Sequence, residues 1–278
     1  MTDRMIMPET ARGMEYVIAS YYIELAPEQD VVKKAESLAV GQTIGTWVPV
    51  PGITDEIREK YMGRVVQIFD VPPAELKTDA PAQREKMGYL IRIAYPAANF
   101  GTDFALMMTA LLGNDASTSA QVKLMDIEFP DGFLREFPGP RYGIRGLRER
   151  FGIWDRPLFL NMIKPCTGLT PEEGSRIFYE TARGGADLIK DDELFGNPVY
   201  SRPADRVRAF RKAADQAFEE TGHRTRYIVN VTCGLRELEK NVREAEEDGA
   251  DGVLFNFAIL GYSALRWLRD MTELPILG

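Results

Sequence analysis

The second half of the chain alternates without a break between short apolar runs and longer amphipathic ones, and that rhythm leaves few folds open. PLFLNMIKPC (Pro157–Cys166), ADLIKDD (Ala186–Asp192), RYIVNVTCG (Arg226–Gly234), GVLFNFAIL (Gly252–Leu260) and LPILG (Leu274–Gly278) read as strands. Helical patterns separate them. The first, TPEEGSRIFYETARGG, opens with a cap-like Thr170, Pro171 at the first helical position and two glutamates in the first turn. Arg202–Thr221, Leu235–Asp248 and SALRWLRDM follow. Apolar strands alternating with helices form a parallel sheet, either a (β/α)8 barrel or an open doubly wound sheet. No GxGxxG or GxxxxGK[ST] follows a strand, which disfavours a nucleotide-binding version.

The first half has a different order. YVIASYYIEL (Tyr16–Leu25), GRVVQIFDV (Gly63–Val71), MGYLIRIAYP (Met87–Pro96) and QVKLMDIEF (Gln121–Phe129) are strand-like, while Pro27–Val40 and Thr102–Gly113 have helical spacing. The resulting β-α-β-β-α-β order is the split βαβ of a ferredoxin-like α+β domain. With the break near Phe129–Gly139, the sequence predicts a ferredoxin-like domain over residues 1–137 and a (β/α)8 TIM barrel over 138–278, with about five barrel strands in this chain. The fifth strand meets Gly278. The pattern therefore favours a piece of a longer gene product over a short protein whose sheet edge is covered by another subunit. An unfinished sheet is expected to leave an open edge and expose its core-facing apolar rows.

Composition narrows the function classes. The formal charge of −8 comes from interspersed acids and bases without a basic stripe, which argues against nucleic acid as a partner. No apolar run is long enough for a membrane span and Met1–Thr10 lacks signal-peptide order, so the expected setting is cytoplasmic and away from membranes. Cys166 and Cys233 are too few for a disulfide framework and read as reduced thiols.

In a barrel the chemistry sits where strands end. Three strands end in polar groups: Lys164 after the first, Lys190 to Glu193 after the second, and Asn230 and Thr232 on the third. Alternation puts Lys190 and Asp192 on one side and Asp191 on the other, with Glu193 starting the loop. Two readings of the cluster stay open. Lys190 either neutralises its acidic neighbours in an ion-pair network, or it reacts with carbon dioxide and joins two carboxylates as a hard oxygen ligand set that suits Mg²⁺. His223, the single histidine, falls at the opposite end of the strands and reads as a surface residue.

GGADLIKDDE (Gly184–Glu193) resembles the activation segment of the RuBisCO large-chain family, in which a lysine carbamate, an aspartate and a glutamate hold magnesium. The resemblance implies Lys190, Asp192 and Glu193 as metal ligands, with Mg²⁺ as cofactor and CO2 as the activator that carbamylates Lys190. IKP (Ile163–Pro165) resembles the first barrel strand and implies that Lys164 contacts the reacting carbons. GTW (Gly45–Trp47) implies Thr46 and Trp47 at a substrate phosphate, and GN (Gly113–Asn114) implies that Asn114 reaches a neighbouring subunit's site. Pro138–Arg148 and Tyr227–Thr232 match in the same order. A homodimer with shared active sites follows from the resemblance.

The sequence departs from true carboxylases at two places. Cys166 stands where they carry a second lysine, and Gly41 stands where they carry a glutamate. These departures, with KLMDIEFPD (Lys123–Asp131) and NFG (Asn99–Gly101), are similar to the RuBisCO-like, form IV branch. The resemblance implies a Mg-dependent lyase or isomerase forming a metal-bound enediolate from a phosphorylated keto-sugar or oxo-acid, by enolisation, isomerisation or decarboxylation. Lys164 or the Lys190 carbamate would move the α-proton, and a neutral Lys164 would need a depressed pKa. The alternatives are a genuine ribulose-1,5-bisphosphate carboxylase/oxygenase and a non-catalytic fragment or scaffold.

Overall fold

A computed structural model of the chain describes residues 14–46, 48–72 and 85–278. It divides into two compact units, Met1–Pro138 and Gly139–Gly278.

The first unit runs β1 (Tyr16–Leu25), α1 (Val31–Gly41), α2 (Asp55–Tyr61), β2 (Arg64–Val71), β3 (Met87–Pro96), α3 (Phe104–Leu112), a π-helical turn (Asp115–Ala120), β4 (Lys123–Glu128) and α4 (Asp131–Leu134). Its strands form an antiparallel sheet in the order β2-β3-β1-β4, the ferredoxin-like arrangement that the sequence order predicts. Period-two alternation along β1 buries Val17, Ala19, Tyr21, Ile23 and Leu25. Against that row lie Ala35, Leu38 and Ala39 of α1 and Met107 and Leu111 of α3. The Tyr21 hydroxyl fastens helix to sheet, donating to the Leu111 carbonyl at 2.8 Å and lying 3.0 Å from the Tyr95 hydroxyl. Helix α2 lacks an apolar stripe, so periodicity misses it. It is held by its end, where the Thr54 hydroxyl accepts from the Ile57 N–H at 3.2 Å and Asp55 and Glu56 fill the first turn.

The second unit runs α5 (Gly143–Phe151), β5 (Leu160–Met162), α6 (Pro171–Arg183), β6 (Leu188–Lys190), α7 (Pro203–Thr221), β7 (Arg226–Asn230), α8 (Leu235–Glu247), β8 (Gly252–Leu254), α9 (Phe257–Leu260), α10 (Tyr262–Met271) and β9 (Ile276–Leu277). The five strands are parallel and ordered β5-β6-β7-β8-β9. Consecutive order without a reversal separates a barrel-type sheet from a doubly wound one, so this is a TIM-barrel-like domain. Ile189, Val229 and Val253 face the helices, packed with Phe178, Phe210, Leu238 and Val242. Leu188, Ile228 and Leu254 form a second cluster with Leu147 and Phe151 of α5. That row was expected to be exposed, yet α5, Leu158 and Leu277 cover it and each of its three members is 6% exposed or less.

The strands are shorter than their apolar runs. Gly252–Leu260 reads as one strand, but β8 stops at Leu254, the last residue for which both neighbours offer a partner (Asn230 and Leu277). Beyond it the backbone folds onto itself, with Phe257 N–H donating to the Phe255 carbonyl and Ile259 N–H to that of Asn256. Apolar character there does not mark pairing: Phe255 is buried, whereas Phe257–Leu260 forms a short helix with no buried residue. At the start of α6 the expected cap is complete: Thr170 Oγ1 accepts from the Glu173 N–H at 3.2 Å while Glu173 accepts from the Thr170 N–H at 2.9 Å.

The N-terminal ends of the strands carry an ion-pair knot. Asp187, fully buried, accepts from Arg156 at 2.6 and 2.7 Å and from the Phe159 N–H at 2.8 Å. His223 is half-buried against it, Nε2 3.3 Å from Asp187, and is not the surface residue the sequence suggests. The Arg156 hydrogen bonds hold the Asp187 carboxyl below the ordinary aspartate value of 3.8 despite its burial. A depressed folded-state value adds stability above the unfolded value, and that stability is lost as pH falls through the depressed one. The difference in unfolding free energy between the protein and its Asp187→Asn variant is therefore largest near neutral pH and shrinks below about pH 4. Urea titrations at several pH values measure it; a gap that widens in acid contradicts the assignment.

Candidate active site

Strand alternation builds the site at the C-terminal ends of β5 and β6. Met162 pairs with Lys190 in the ladder, and the Ile163 N–H donates to the Lys190 carbonyl, so Lys164 leaves β5 beside the residues that follow Lys190. Lys164 Nζ donates to Asp192 Oδ2 at 2.6 Å and to Cys166 Sγ at 3.0 Å. Lys190, with 12% of its side chain exposed, donates to Glu193 Oε1 at 2.5 Å and to the Asp191 carbonyl at 3.2 Å, and it rests 3.4 Å from Met162 Sδ. Lys164, Lys190, Asp192 and Glu193 thus come together as two ion pairs. Asp191 points the other way, toward α7, as alternation requires.

Electrostatics follow the pairing. Burial works against ionised Asp192, but the bond from Lys164 and that from the Leu194 N–H prevail and bring its pKa to about 2. The Lys190 hydrogen bond lowers Glu193. Lys164 is held above the ordinary lysine range by Asp192 and then by Cys166, and its side chain is 54% exposed. The depressed lysine that a neutral base needs is therefore not present while Asp192 is its partner.

Asn230 at the end of β7 secures the loop behind these groups. Its side-chain amide donates to the carbonyls of Asp192 and Glu193 at 2.9 and 3.0 Å, and its Oδ1 accepts from the Thr232 N–H. Asn230 is fully buried, so its role is to hold the loop and not to line the rim. Thr232 likewise turns its hydroxyl inward, accepting from the Asn256 N–H at 3.0 Å.

The remaining predicted site residues belong to the first unit. Thr46 Oγ1 accepts from the Val48 N–H at 3.0 Å. Asn114 is exposed between α3 and the π-helical turn, with its Oδ1 accepting from the Thr118 hydroxyl at 2.8 Å. Trp47 lies outside the described residues. Gly41 adjoins Asp115: a Cβ at position 41 would lie 1.9 Å from Asp115 Oδ2, so the Asp115 carboxylate fills the space a larger residue would claim.

Among the described residues no three His, Cys, Asp or Glu side chains are grouped so as to hold a metal. Asp192 and Glu193 are two carboxylates that could serve a metal ion, and Lys190 Nζ, 2.5 Å from Glu193 Oε1, is the neighbouring side chain that would have to become anionic to complete an oxygen donor set.

Residues 143–275 match the family model described as the ribulose bisphosphate carboxylase large chain, catalytic domain, and residues 8–133 match that of its N-terminal domain. The chain belongs to the RuBisCO large-chain family. A ribulose bisphosphate carboxylase-like protein of Archaeoglobus fulgidus is 39% identical over 97% of this chain and 61% of its own length. A 2,3-diketo-5-methylthiopentyl-1-phosphate enolase of Geobacillus kaustophilus is 36% identical over 95% of this chain and 63% of its own. The crystal structure of a rubisco-like protein from Alicyclobacillus acidocaldarius superposes with a TM-score of 0.78 at 35% identity, covering 94% of this chain and 63% of that one. The chain therefore spans about three fifths of the length of these RuBisCO-like relatives. None of its helices is long and apolar enough to cross a membrane, among the described residues.

Proposed function

We propose that this RuBisCO-family chain carries the metal-binding half of a Mg²⁺-dependent enolase-type site that acts on a phosphorylated keto compound. The observation that carries the proposal is the meeting of Lys164, Lys190, Asp192 and Glu193 at the ends of two adjacent parallel strands. The enolase named among the relatives supplies the substrate class, a phosphorylated diketone.

The donor set fits magnesium only after Lys190 changes. Lys190 first gives up its ammonium proton to solvent; the neutral amine attacks CO2, an N–C bond forms as one C=O π bond opens onto oxygen, a second proton leaves the nitrogen, and the side chain goes from cationic to anionic. Its attraction for Glu193 then becomes repulsion, which a divalent cation held by Lys190, Asp192 and Glu193 relieves. Bound there, Mg²⁺ would polarise a substrate carbonyl. The same event acts on Lys164. With Asp192 engaged by the ion, Lys164 would lose the partner that holds its proton, its pKa would fall, and it could take the α-proton as a neutral amine. A carbamate oxygen on Lys190 is the other base within the cluster. Asn230 keeps the Asp192–Glu193 backbone in place throughout.

Thr46 and Trp47 would grip a phosphate of the substrate in a neighbouring copy's pocket and Asn114 would reach into that same site, so the working unit would be a homodimer. Sedimentation measures that assembly.

The reading is tested by following solvent deuterium into 2,3-diketo-5-methylthiopentyl-1-phosphate with Mg²⁺ and bicarbonate. Magnesium-dependent exchange at the carbon next to the ketone is expected, and no fixation of CO2 on ribulose bisphosphate. Absence of exchange, or efficient fixation, contradicts it.

A further inference from the structure

Arg206 lies in the buried stripe of α7 between Pro203 and Phe210 and has no exposed surface. Its guanidinium donates to Asp191 Oδ2 from two nitrogens, at 3.1 and 3.0 Å, and stacks 4.4 Å from the centre of the Phe195 ring. It also reaches four carbonyls: Phe195 at 3.0 Å, Gly196 at 2.8 Å, Asn230 at 3.0 Å, and Ser201. Three of these belong to the loop that leaves β6 through Asp192 and Glu193, and the fourth belongs to β7. Where that loop passes the segment leaving β7 it comes very close, since a Cβ on Gly196 would lie 2.2 Å from the Thr232 carbonyl.

A cation that only balanced Asp191 would need one or two bonds. Arg206 instead ties both ends of the 191–201 loop to one point behind the proposed metal ligands, and only a planar, multiply donating guanidinium can meet so many acceptors. We propose that Arg206 is a positioning residue, setting the placement of the Asp192 and Glu193 carboxylates by anchoring the 191–201 loop on α7 and β7. The metal consequence rests on the function proposed above; the anchoring does not.

Arg206→Lys keeps the positive charge beside Asp191 and removes the fork that reaches the carbonyls. Two readouts are taken on the folded chain: amide hydrogen exchange, and Mg²⁺ binding in bicarbonate by calorimetry. The expected result is at least tenfold faster exchange at residues 192–201, with β7 changed by less than about twofold, and at least tenfold weaker Mg²⁺ binding. A purely structural arginine would shift the unfolding midpoint and leave the folded variant's loop exchange and Mg²⁺ affinity as they were, which overturns the proposal. If wild type binds no Mg²⁺ while the loop still loosens in the variant, the function reading fails and the anchoring stands. Should Arg206→Lys not fold, wild-type exchange decides: loop amides protected as strongly as those of α7 are required, and protection no better than that of exposed segments overturns the proposal.

Discussion

Lys190→Met loses about a thousandfold or more of the magnesium-dependent exchange activity while unfolding at nearly the same urea concentration as wild type. The two halves of that expectation have separate causes. The pair that Lys190 makes with Glu193 is short, but Glu193 is half exposed, and such pairs contribute roughly 1 kcal/mol or less to stability. Methionine keeps the apolar stem beside Met162. What it cannot do is form a carbamate. Several kcal/mol of charge stabilisation then disappear with the cation, which is a factor of about 10³ in rate. Steady-state exchange rates and urea midpoints on the same preparation give both numbers. A variant that keeps its activity, or loses it by unfolding, contradicts the role given to Lys190.

One residue along, the opposite pattern is expected. Asp191→Ala destabilises the fold by about 3–5 kcal/mol, because it leaves the guanidinium of Arg206 buried without its counter-charge. Asp191 also accepts from the Tyr227 hydroxyl at 2.6 Å and from the Asn230 N–H at 2.8 Å, so two more buried donors lose their acceptor. Burial pushes the Asp191 carboxyl up, and Arg206, Tyr227 and the Asn230 N–H draw it back. Urea unfolding checks the prediction, and a loss under 1 kcal/mol would show that the pair is not what holds this loop. On the proposed function, adjacent lysine and aspartate would divide the work, one serving the chemistry and the other the fold, because strand alternation turns them to opposite faces.

That division shows what the sequence reveals and what it conceals. The cluster Lys190, Asp192 and Glu193 is legible because polar residues at the end of a continuously apolar strand stand out, and alternation alone places Asp191 away from them. The two architectures are legible because a β-α-β-β-α-β order and a strict strand–helix alternation each admit few topologies. Arg206 is hidden. Its signal is an arginine at a position where the spacing of Pro203, Phe210, Ala213 and Ala217 calls for an apolar residue, and its partner lies fifteen residues away on another element. Asn230 is half legible: an asparagine ending a strand reads either as a rim residue or as a hydrogen-bonding support behind it, and only the path of the loop after β6 shows that it faces the Asp192 and Glu193 carbonyls. Helix α2 escapes periodicity because it buries no residue. The ends of β5 and β8 are set by what neighbouring strands offer for pairing, which a single apolar run does not encode.

The measurement that bears most directly on the account is carbon-13 NMR of the protein in labelled bicarbonate, with and without Mg²⁺. The account predicts a carbamate resonance at one equivalent per chain that strengthens with Mg²⁺ and is missing from Lys190→Met. A magnesium-loaded protein with no such resonance, or one that survives in Lys190→Met, would contradict it.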